Sequence, residues 1–180
     1  GIVADLAHLR DDTRYLLQRG LPVLRQMNRP GLKILSELAE LNPTNLTEDH
    51  ISFVLAPRLN ALGRLGDANS IVEFLTTTNQ LRAQTLAYEL EGLNSNRRLI
   101  SEQVFRSAIN QLESDNSLQQ YNAIVLSHSS WPAGVIGIAA AQLVEKYAKP
   151  VILISSPPDQ PARGSARSIE GIDISAAITS

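Results

Sequence analysis

The sequence predicts an α/β protein with a mostly helical first part, a long connecting helix, and a small α/β domain built on a βαβ unit. Three observations lead to this prediction. Prolines and glycines interrupt short apolar stretches up to about residue 78. Over 79–114 there is no proline, and apolar residues recur at spacings of three and four, as in a helix. After residue 120, short continuous apolar runs replace that spacing, which is typical of buried parallel strands.

The first part, residues 1–78, is expected to be helical. Helices are predicted over 14–27, 31–41 and 47–55, with prolines between them. The alternation of apolar and polar residues that marks a half-buried strand is absent there.

The second part, residues 79–120, is expected to be one long helix closed by polar residues. A helix over 79–114 would be about 50 Å long at the usual rise per residue, so it is interpreted as a connection between two bodies. Arg97 falls on its apolar stripe, beside Arg98. Either the helix crosses a polar cleft at this point, or the two arginines lie on a solvated face and pair with Glu91 and Glu102.

The third part, residues 121–180, is predicted to contain two parallel strands over 123–126 and 151–154. The helix between them, 135–148, would make the usual right-handed crossover. Ligands of such units gather at the carboxyl ends of the strands, so the loop 127–134 is a candidate binding loop.

The run of residues 163–168 that follows the second strand has the chemistry of a phosphate site. Arginine forks, hydroxyls and an approachable backbone at a glycine can all hold a phosphate oxygen. Arg163 and Arg167 could bracket a backbone phosphate, and the expected binding residues are Arg163, Gly164, Ser165, Arg167 and Ser168. The alternative is a basic loop that only solubilises the domain.

Composition excludes several classes of protein. A hydrophobic content of 43% and a charged content of 19% indicate an ordinary globular protein rather than a disordered one. No apolar run approaches the roughly 20 residues of a membrane span, so no membrane partner and a cytoplasmic location are expected. Without cysteine there is no disulfide, thiolate metal site or cysteine nucleophile. Because the net charge is −2, nucleic acid would have to bind at a local patch.

Five motifs occur in the order, and near the spacing, seen in one protein family. They are Gly-Ile-Val-Ala-Asp at 1–5, Pro-Arg-Leu-Asn-Ala-Leu-Gly-Arg at 57–64, Leu-Asn-Ser-Asn-Arg-Arg at 93–98, Trp-Pro-Ala-Gly-Val-Ile-Gly-Ile at 131–138 and Arg-Gly-Ser-Ala-Arg-Ser at 163–168. The chain thereby resembles the RecJ exonucleases of the DHH phosphoesterase superfamily, which are specific for single-stranded DNA.

The resemblance implies a domain organisation. Residues 1–78 would be the C-terminal part of a DHH domain, 79–120 the connecting helix, and 121–180 a truncated DHH-associated domain that binds substrate. The sequence begins and stops inside apolar segments and contains neither Asp-x-Asp nor Asp-His-His, so it is expected to be a fragment.

Asp5 is the residue to which the resemblance assigns catalysis. It would be the last carboxylate ligand of a divalent-metal centre, Mn²⁺ or Mg²⁺, whose other ligands lie in motifs that this sequence does not contain. Such ions can activate a water and neutralise the phosphate. Without the family, Asp5 would be interpreted as a capping or solvated aspartate.

The motif at 57–64 would lie near the catalytic cleft, with Arg58, Asn60 and Arg64 orienting a phosphate or the metal ligands. The alternative is an arginine-capped loop between helices.

In the motif at 131–138, Trp131 could stack a base or plug the domain surface, and Gly134 would expose backbone N–H groups to an anion. Here the chain departs from the family, since Pro132 stands where histidine is common and Gln142 where arginine is common. Those departures weaken phosphate binding by the side chains of this loop.

The expected activity is hydrolysis of single-stranded DNA from the 5′ end, with single-stranded DNA and proteins of DNA repair as partners. The directionality comes only from the resemblance. The fragment alone is predicted to be inactive. The alternatives are a non-catalytic module that binds single strands and a DHH phosphodiesterase that acts on short oligonucleotides or cyclic dinucleotides.

Overall fold

The computed structural model describes residues 2–4, 7–65 and 69–179, with the side chains of 62–65 and 69 excepted. The chain divides into two compact units, Gly1–Asn96 and Arg97–Ser180, and the boundary falls inside the longest helix.

The first unit is helical, as predicted. Its helices are α1 (Asp11–Arg25), α2 (Pro30–Leu38), α3 (Ala56–Leu65), α4 (Asn69–Thr76) and the first part of α5 (Gln80–Ser114). A 3-10 turn at Pro43–Asn45 follows α2, and a π-helical turn at His50–Leu55 runs directly into α3.

The segment 57–64, for which a loop was the alternative interpretation, is part of α3. Pro57 is the second residue of α3 and directly follows the π-helical turn His50–Leu55, so the hydrogen bond that its missing N–H cannot donate falls where the two helical forms meet. The motif can therefore be helical despite its proline.

Helix α5 has 35 residues, so it is about 52 Å long. The predicted helix over 79–114 agrees with it to within one residue. In the first unit α5 buries Ala83, Leu86 and Leu90 against α2 and α4, whose largest fully buried side chain is Phe74. Among the helices that the structure describes, none combines the length and the apolar composition that a membrane span needs.

The second unit contains β1 (Ile124–His128), α6 (Ala133–Tyr147), β2 (Val151–Ser155), β3 (Arg163–Arg167) and the short α7 (Ile174–Thr179). Strand order in the sheet is β1-β2-β3. β1 and β2 are parallel, which confirms the predicted βαβ unit, and β3 is antiparallel to β2.

The core of the second unit lies between the sheet and the helices on one of its faces. Leu126 and Leu153 of the sheet are buried with Val135 and Leu143 of α6 and with Leu112 of α5. Helix α6 covers the face of the sheet that carries these side chains, and the candidate site lies on that same face.

Candidate nucleic-acid interface

Strand β3 presents three polar side chains on one face of the sheet. Alternation along a strand places Arg163, Ser165 and Arg167 on the same side. They pair with residues of β2 that are buried, so they point to the face on which α6 packs. β3 is also an edge strand, which leaves both arginines exposed to solvent.

Gly137 of α6 allows Ser165 and Arg167 to approach the helix closely. A Cβ atom added at Gly137 would lie 2.8 Å from Oγ of Ser165 and 3.1 Å from Nη2 of Arg167, both closer than an ordinary van der Waals contact. A residue with a side chain would therefore push these two groups away. The glycine thus brings a hydroxyl and a guanidinium together on the surface of α6, which is a suitable pair of donors for one phosphate.

The two arginines of β3 lie at opposite ends of the strand. Four residues of extended strand separate the Cα atoms of Arg163 and Arg167 by about 13 Å. Two arginine side chains on one face can converge across such a distance, so the expected bracket of one phosphate by both stays a prediction. Arg167, with Ser165, forms one group of donors and Arg163 forms another at the opposite end of the strand.

The other residues of the run are engaged differently. Oγ of Ser168 donates to the carbonyl of Ile172 at 2.9 Å, so this hydroxyl stabilises the turn before α7. Gly164 points to the opposite face of the sheet, where an added Cβ would meet Ile154 only at an ordinary 3.8 Å. Nη1 of Arg167 donates to the carbonyl of Ala166 at 2.8 Å. This hydrogen bond orients the guanidinium and does not use its other donors.

Trp131 is a core residue, which is the second of the two interpretations offered by the sequence. Its side chain is 3% exposed, and its Nε1 donates to Oγ of Ser107 at 3.1 Å. The ring of His128 stacks on it with centroids 5.6 Å apart. No open face of the indole is therefore left for a base, and the expected stacking role is not supported by this geometry.

Gly134 lies in the first turn of α6 and is half-buried. The N-cap residue of this helix is Pro132, and it provides no side-chain hydrogen bond to the first turn. The helix therefore begins without the usual serine, threonine, asparagine or aspartate cap.

Arg58 is held by its own unit. Its Nε and Nη2 donate to the carboxylate of Glu91 at 2.6 and 3.4 Å, and its Nη1 donates to the carbonyl of Val54 at 2.8 Å. The side chain is 13% exposed. This ion pair joins α3 to α5, so the guanidinium has a structural function in addition to any contact with substrate.

Asn60 is exposed on α3, and the backbone of Arg64 lies in the same helix. The side chain of Arg64 and the whole of Asp5 lie outside the described residues. These predictions for Arg64 and Asp5 therefore stay predictions.

The arginines of α5 line a polar cavity in the second unit. It has a volume of about 300 Å³, and it is lined from α5 by Arg97, Arg98, Ser101 and Glu102 and from α6 by Ile138 and Gln142. Oγ of Ser101 and Oε1 of Gln142 are buried without a hydrogen-bond partner in the part of the chain that is described. These buried polar atoms favour the interpretation in which the helix crosses a polar cleft at Arg97 and Arg98 over the one in which the two arginines lie on a solvated face.

The glutamates suggested as partners of these arginines pair elsewhere. Glu91 binds Arg58, and Glu102 binds Arg106 at 2.7 Å, one helical turn further along α5. Sequence spacing could have suggested the second pair, which is an ordinary i, i+4 contact. Sequence spacing could not have suggested the pair of Glu91 with Arg58, which are 33 residues apart.

The described residues do not form a metal centre. Over 2–4, 7–65 and 69–179, no group of three or more histidine, aspartate or glutamate side chains is placed to hold an ion. The residues described here therefore do not by themselves fit Mn²⁺ or Mg²⁺, and no metal-dependent step follows from them.

Comparisons with known proteins find matches that together cover nearly the whole chain. Residues 120–180 match the DHHA1 domain family. The single-stranded-DNA-specific exonuclease RecJ of Bacillus subtilis is 37% identical over 175 residues, which are 97% of this chain and 22% of that protein. The crystal structure of RecJ in complex with Mg²⁺ from Thermus thermophilus superposes with a TM-score of 0.82 at 29% identity, covering 99% of this chain and 27% of that one.

A crystal structure of exonuclease RecJ bound to manganese also matches, with a TM-score of 0.78 at 30% identity, over 99% of this chain and 43% of that one. The chain thus spans between about a fifth and a third of the length of the curated relatives that it matches. Since sequence and fold agree from the first helix to the DHHA1 domain, the chain belongs to the RecJ family.

Proposed function

We propose that this chain belongs to a metal-dependent exonuclease that hydrolyses the phosphodiester bonds of single-stranded DNA from the 5′ end. The observation that carries the proposal is the pair of donors formed by Ser165 and Arg167 where β3 meets α6 at Gly137. The relatives' names, which specify exonuclease activity on single-stranded DNA, support the choice of substrate.

In this proposal the second unit binds the sugar-phosphate backbone. Arginine and serine contacts to phosphate oxygens position a strand and read no base, so binding is tolerant of sequence. Because cations on the protein release counterions from the strand, binding weakens as salt is added. Because the net charge of the chain is −2, the whole chain does not attract the strand, and the attraction comes from the local patch on β3.

The metal is Mn²⁺ or Mg²⁺, both of which occur in solved RecJ structures. When bound, it would supply an activated water and neutralise the phosphate. Asp5 would contribute one ligand by resemblance. Because one carboxylate does not make a two-metal site, the 180 residues alone are expected to release no nucleotide from 5′-labelled single-stranded DNA in Mn²⁺, and robust metal-dependent release would refute this.

The binding role is tested by Arg167→Ala. Loss of a charge-assisted contact costs about 1.5–3 kcal/mol, so the affinity for oligothymidylate is expected to fall roughly tenfold to a hundredfold. The salt dependence should also become shallower. Ser168→Ala is a matched control, because that hydroxyl bonds within its own turn. An unchanged affinity and salt slope in Arg167→Ala would exclude the assignment.

A non-catalytic module that binds single strands is the second candidate, because the donors of Ser165 and Arg167 at Gly137 would serve binding without hydrolysis equally well. It predicts strand binding but no hydrolysis by the natural gene product. Rapid hydrolysis of cyclic dinucleotides or of short oligonucleotides only, by the same product, would instead favour a related DHH phosphodiesterase.

A cytoplasmic location, participation in DNA repair and recombination, and partner proteins in repair complete the proposal. They rest on the family resemblance.

A further inference from the structure

A second polar site lies at the carboxyl ends of the parallel strands β1 and β2, where β3 begins. It is a cavity of about 360 Å³, which is in the size range of small-ligand pockets. We call it the carboxyl-edge cavity. Its walls include three prolines together with Ser129, Ser130, Ser155, Gln160 and Arg163.

The charge of this lining suits an anion. Arg163 is the only charged residue among the described residues that line it, so the formal charge of the lining is positive. Asp159 is next to Gln160 in the chain but does not line the cavity. Within the described part of the chain, no hydrogen bond or ion pair engages the side chains of Arg163, Gln160 or Ser129. Five guanidinium N–H groups, an amide and a hydroxyl are therefore available as donors.

The walls of the carboxyl-edge cavity are held in place by the chain itself. The backbone N–H of Ser130 donates to Nδ1 of His128 at 3.1 Å, and the hydroxyl of Ser130 lies 2.8 Å from the same nitrogen. Oγ of Ser155 donates to the carbonyl of Trp131 at 2.6 Å. The three prolines restrict the backbone further. A ligand would therefore meet a pocket that needs little ordering, which lowers the entropic cost of binding.

The cavity is distinct from the donors at Gly137. Neither Ser165 nor Arg167 lines it, and the Cα atom of Arg163 is about 13 Å from that of Arg167 along an extended strand. The cavity and the donors at Gly137 are therefore formed by different residues, at opposite ends of β3.

We propose that the carboxyl-edge cavity is a second phosphate site, which holds the phosphate of a nucleotide through Arg163, Gln160 and Ser129. The inference rests on the proposed function only for the choice of a nucleotide, since hydrolysis of a strand from its end releases nucleoside monophosphates. The phosphate belongs either to such a free nucleotide or to a DNA strand that continues past Arg167.

The experiment is a titration of the 180-residue chain with thymidine monophosphate, with thymidine as the control that lacks the phosphate. Equilibrium dialysis with labelled nucleotide measures the affinity. Trp131, the only tryptophan, lines the cavity, so its fluorescence reports whether the nucleotide binds there. We expect saturable binding and a fluorescence change with the monophosphate and with inorganic phosphate, and neither with thymidine.

Variants identify the residues. Arg163→Ala is expected to weaken the binding of thymidine monophosphate at least about tenfold, and Arg163→Lys less, because lysine keeps the charge but loses the fork. Arg106→Ala, which removes an exposed arginine that does not line the cavity, should leave this affinity unchanged. Arg163 is exposed, so its variants are expected to fold, and circular dichroism checks this.

Several outcomes would overturn the proposal. They are no binding of the monophosphate in dialysis, equal binding of thymidine, binding insensitive to Arg163→Ala, or binding lost in Arg106→Ala. If the monophosphate does not bind but oligothymidylate still depends on Arg167, the proposed function stands and only this inference fails. If the monophosphate binds through Arg163 while oligothymidylate does not bind at all, the inference stands and the proposed function fails.

A competition experiment separates the two sources of the phosphate. Oligothymidylate that displaces the labelled monophosphate assigns the cavity to a strand, and simultaneous binding of both assigns it to a free nucleotide. Either result supports the site.

Discussion

The substitution Gly137→Ala tests whether the close approach of β3 to α6 creates the phosphate-binding pair. The new Cβ atom would lie 2.8 Å from Oγ of Ser165 and 3.1 Å from Nη2 of Arg167. Both contacts are with the ends of side chains rather than with backbone. The clash can therefore be relieved by rotating the serine hydroxyl and moving the guanidinium, which removes both donors from their present places.

The expected effect of Gly137→Ala on stability is small, whereas its expected effect on binding is large. Gly137 lies inside α6, where replacing glycine with alanine stabilises a helix by about 0.5–1 kcal/mol. Moving two side-chain ends costs a similar amount, so the free energy of unfolding should change by no more than about 1 kcal/mol. Loss of a charge-assisted hydrogen bond to phosphate costs about 1.5–3 kcal/mol, so the affinity for oligothymidylate should fall roughly tenfold to a hundredfold.

Gly92→Ala provides the matched control. Gly92 lies inside helix α5, and an added Cβ there meets nothing within 4 Å. The same gain in helix stability is expected, with no change in binding. Urea unfolding and titration with a labelled oligothymidylate should be measured for both variants and for the original chain. Wild-type affinity in Gly137→Ala, with the fold intact, would refute the reasoning.

Three further predictions concern stability. Trp131→Ala should lower the free energy of unfolding by about 3–5 kcal/mol, because a buried indole is lost; urea unfolding followed by circular dichroism measures this, and a change below about 1 kcal/mol would contradict its burial. Glu91→Ala should lower the free energy of unfolding by about 1–3 kcal/mol, between the values for exposed and buried ion pairs, because the partly buried Arg58 loses its partner. A double-mutant cycle should find a coupling energy between Arg58 and Glu91, and its absence would argue against the ion pair. The hydrogen bond from Arg82 lowers the pKa of Glu73 from its ordinary 4.5, so this pair stabilises the fold above the unfolded pKa, and its contribution is lost as the pH falls through the folded one. The stability difference between wild type and Glu73→Gln should therefore shrink on acidification, and a difference that grows would reverse the assigned sign.

The parts of the fold that depend on local pattern could be predicted from the sequence. The helix over 79–114 has a long unbroken period and no proline, and it agrees with α5 to one residue. The βαβ unit is marked by two short apolar runs with an amphipathic segment between them. Both features depend on patterns within stretches of consecutive residues.

The third strand could not be predicted in this way. Glycine, serine, alanine and arginine have little tendency to form strands, so 163–167 could only be expected to be extended or turning. It becomes a strand because β2 offers an open edge, in the register that pairs Ser155 with Arg163. Propensity is overridden here by pairing with another part of the chain.

The same limit applies to the candidate site. The run 163–168 could be recognised from its residue types, but only the register of β3 separates the side chains that face α6 from those that do not. Arg58 is 33 residues away from Glu91, and no spacing rule connects them. Trp131 lies in a loop and could have been exposed; it is buried because it packs into the core formed by α5, α6 and the sheet, where its Nε1 donates to Ser107 of α5.

The most direct test of the interface is a map of backbone amide shifts during titration of the isotopically labelled chain with oligothymidylate. The expected changes are concentrated in β3 and in the first turns of α6, and they weaken together as salt is added. Changes confined to the opposite face of the sheet, around Val125 and Ile152, with β3 and α6 unaffected, would contradict the interface described above.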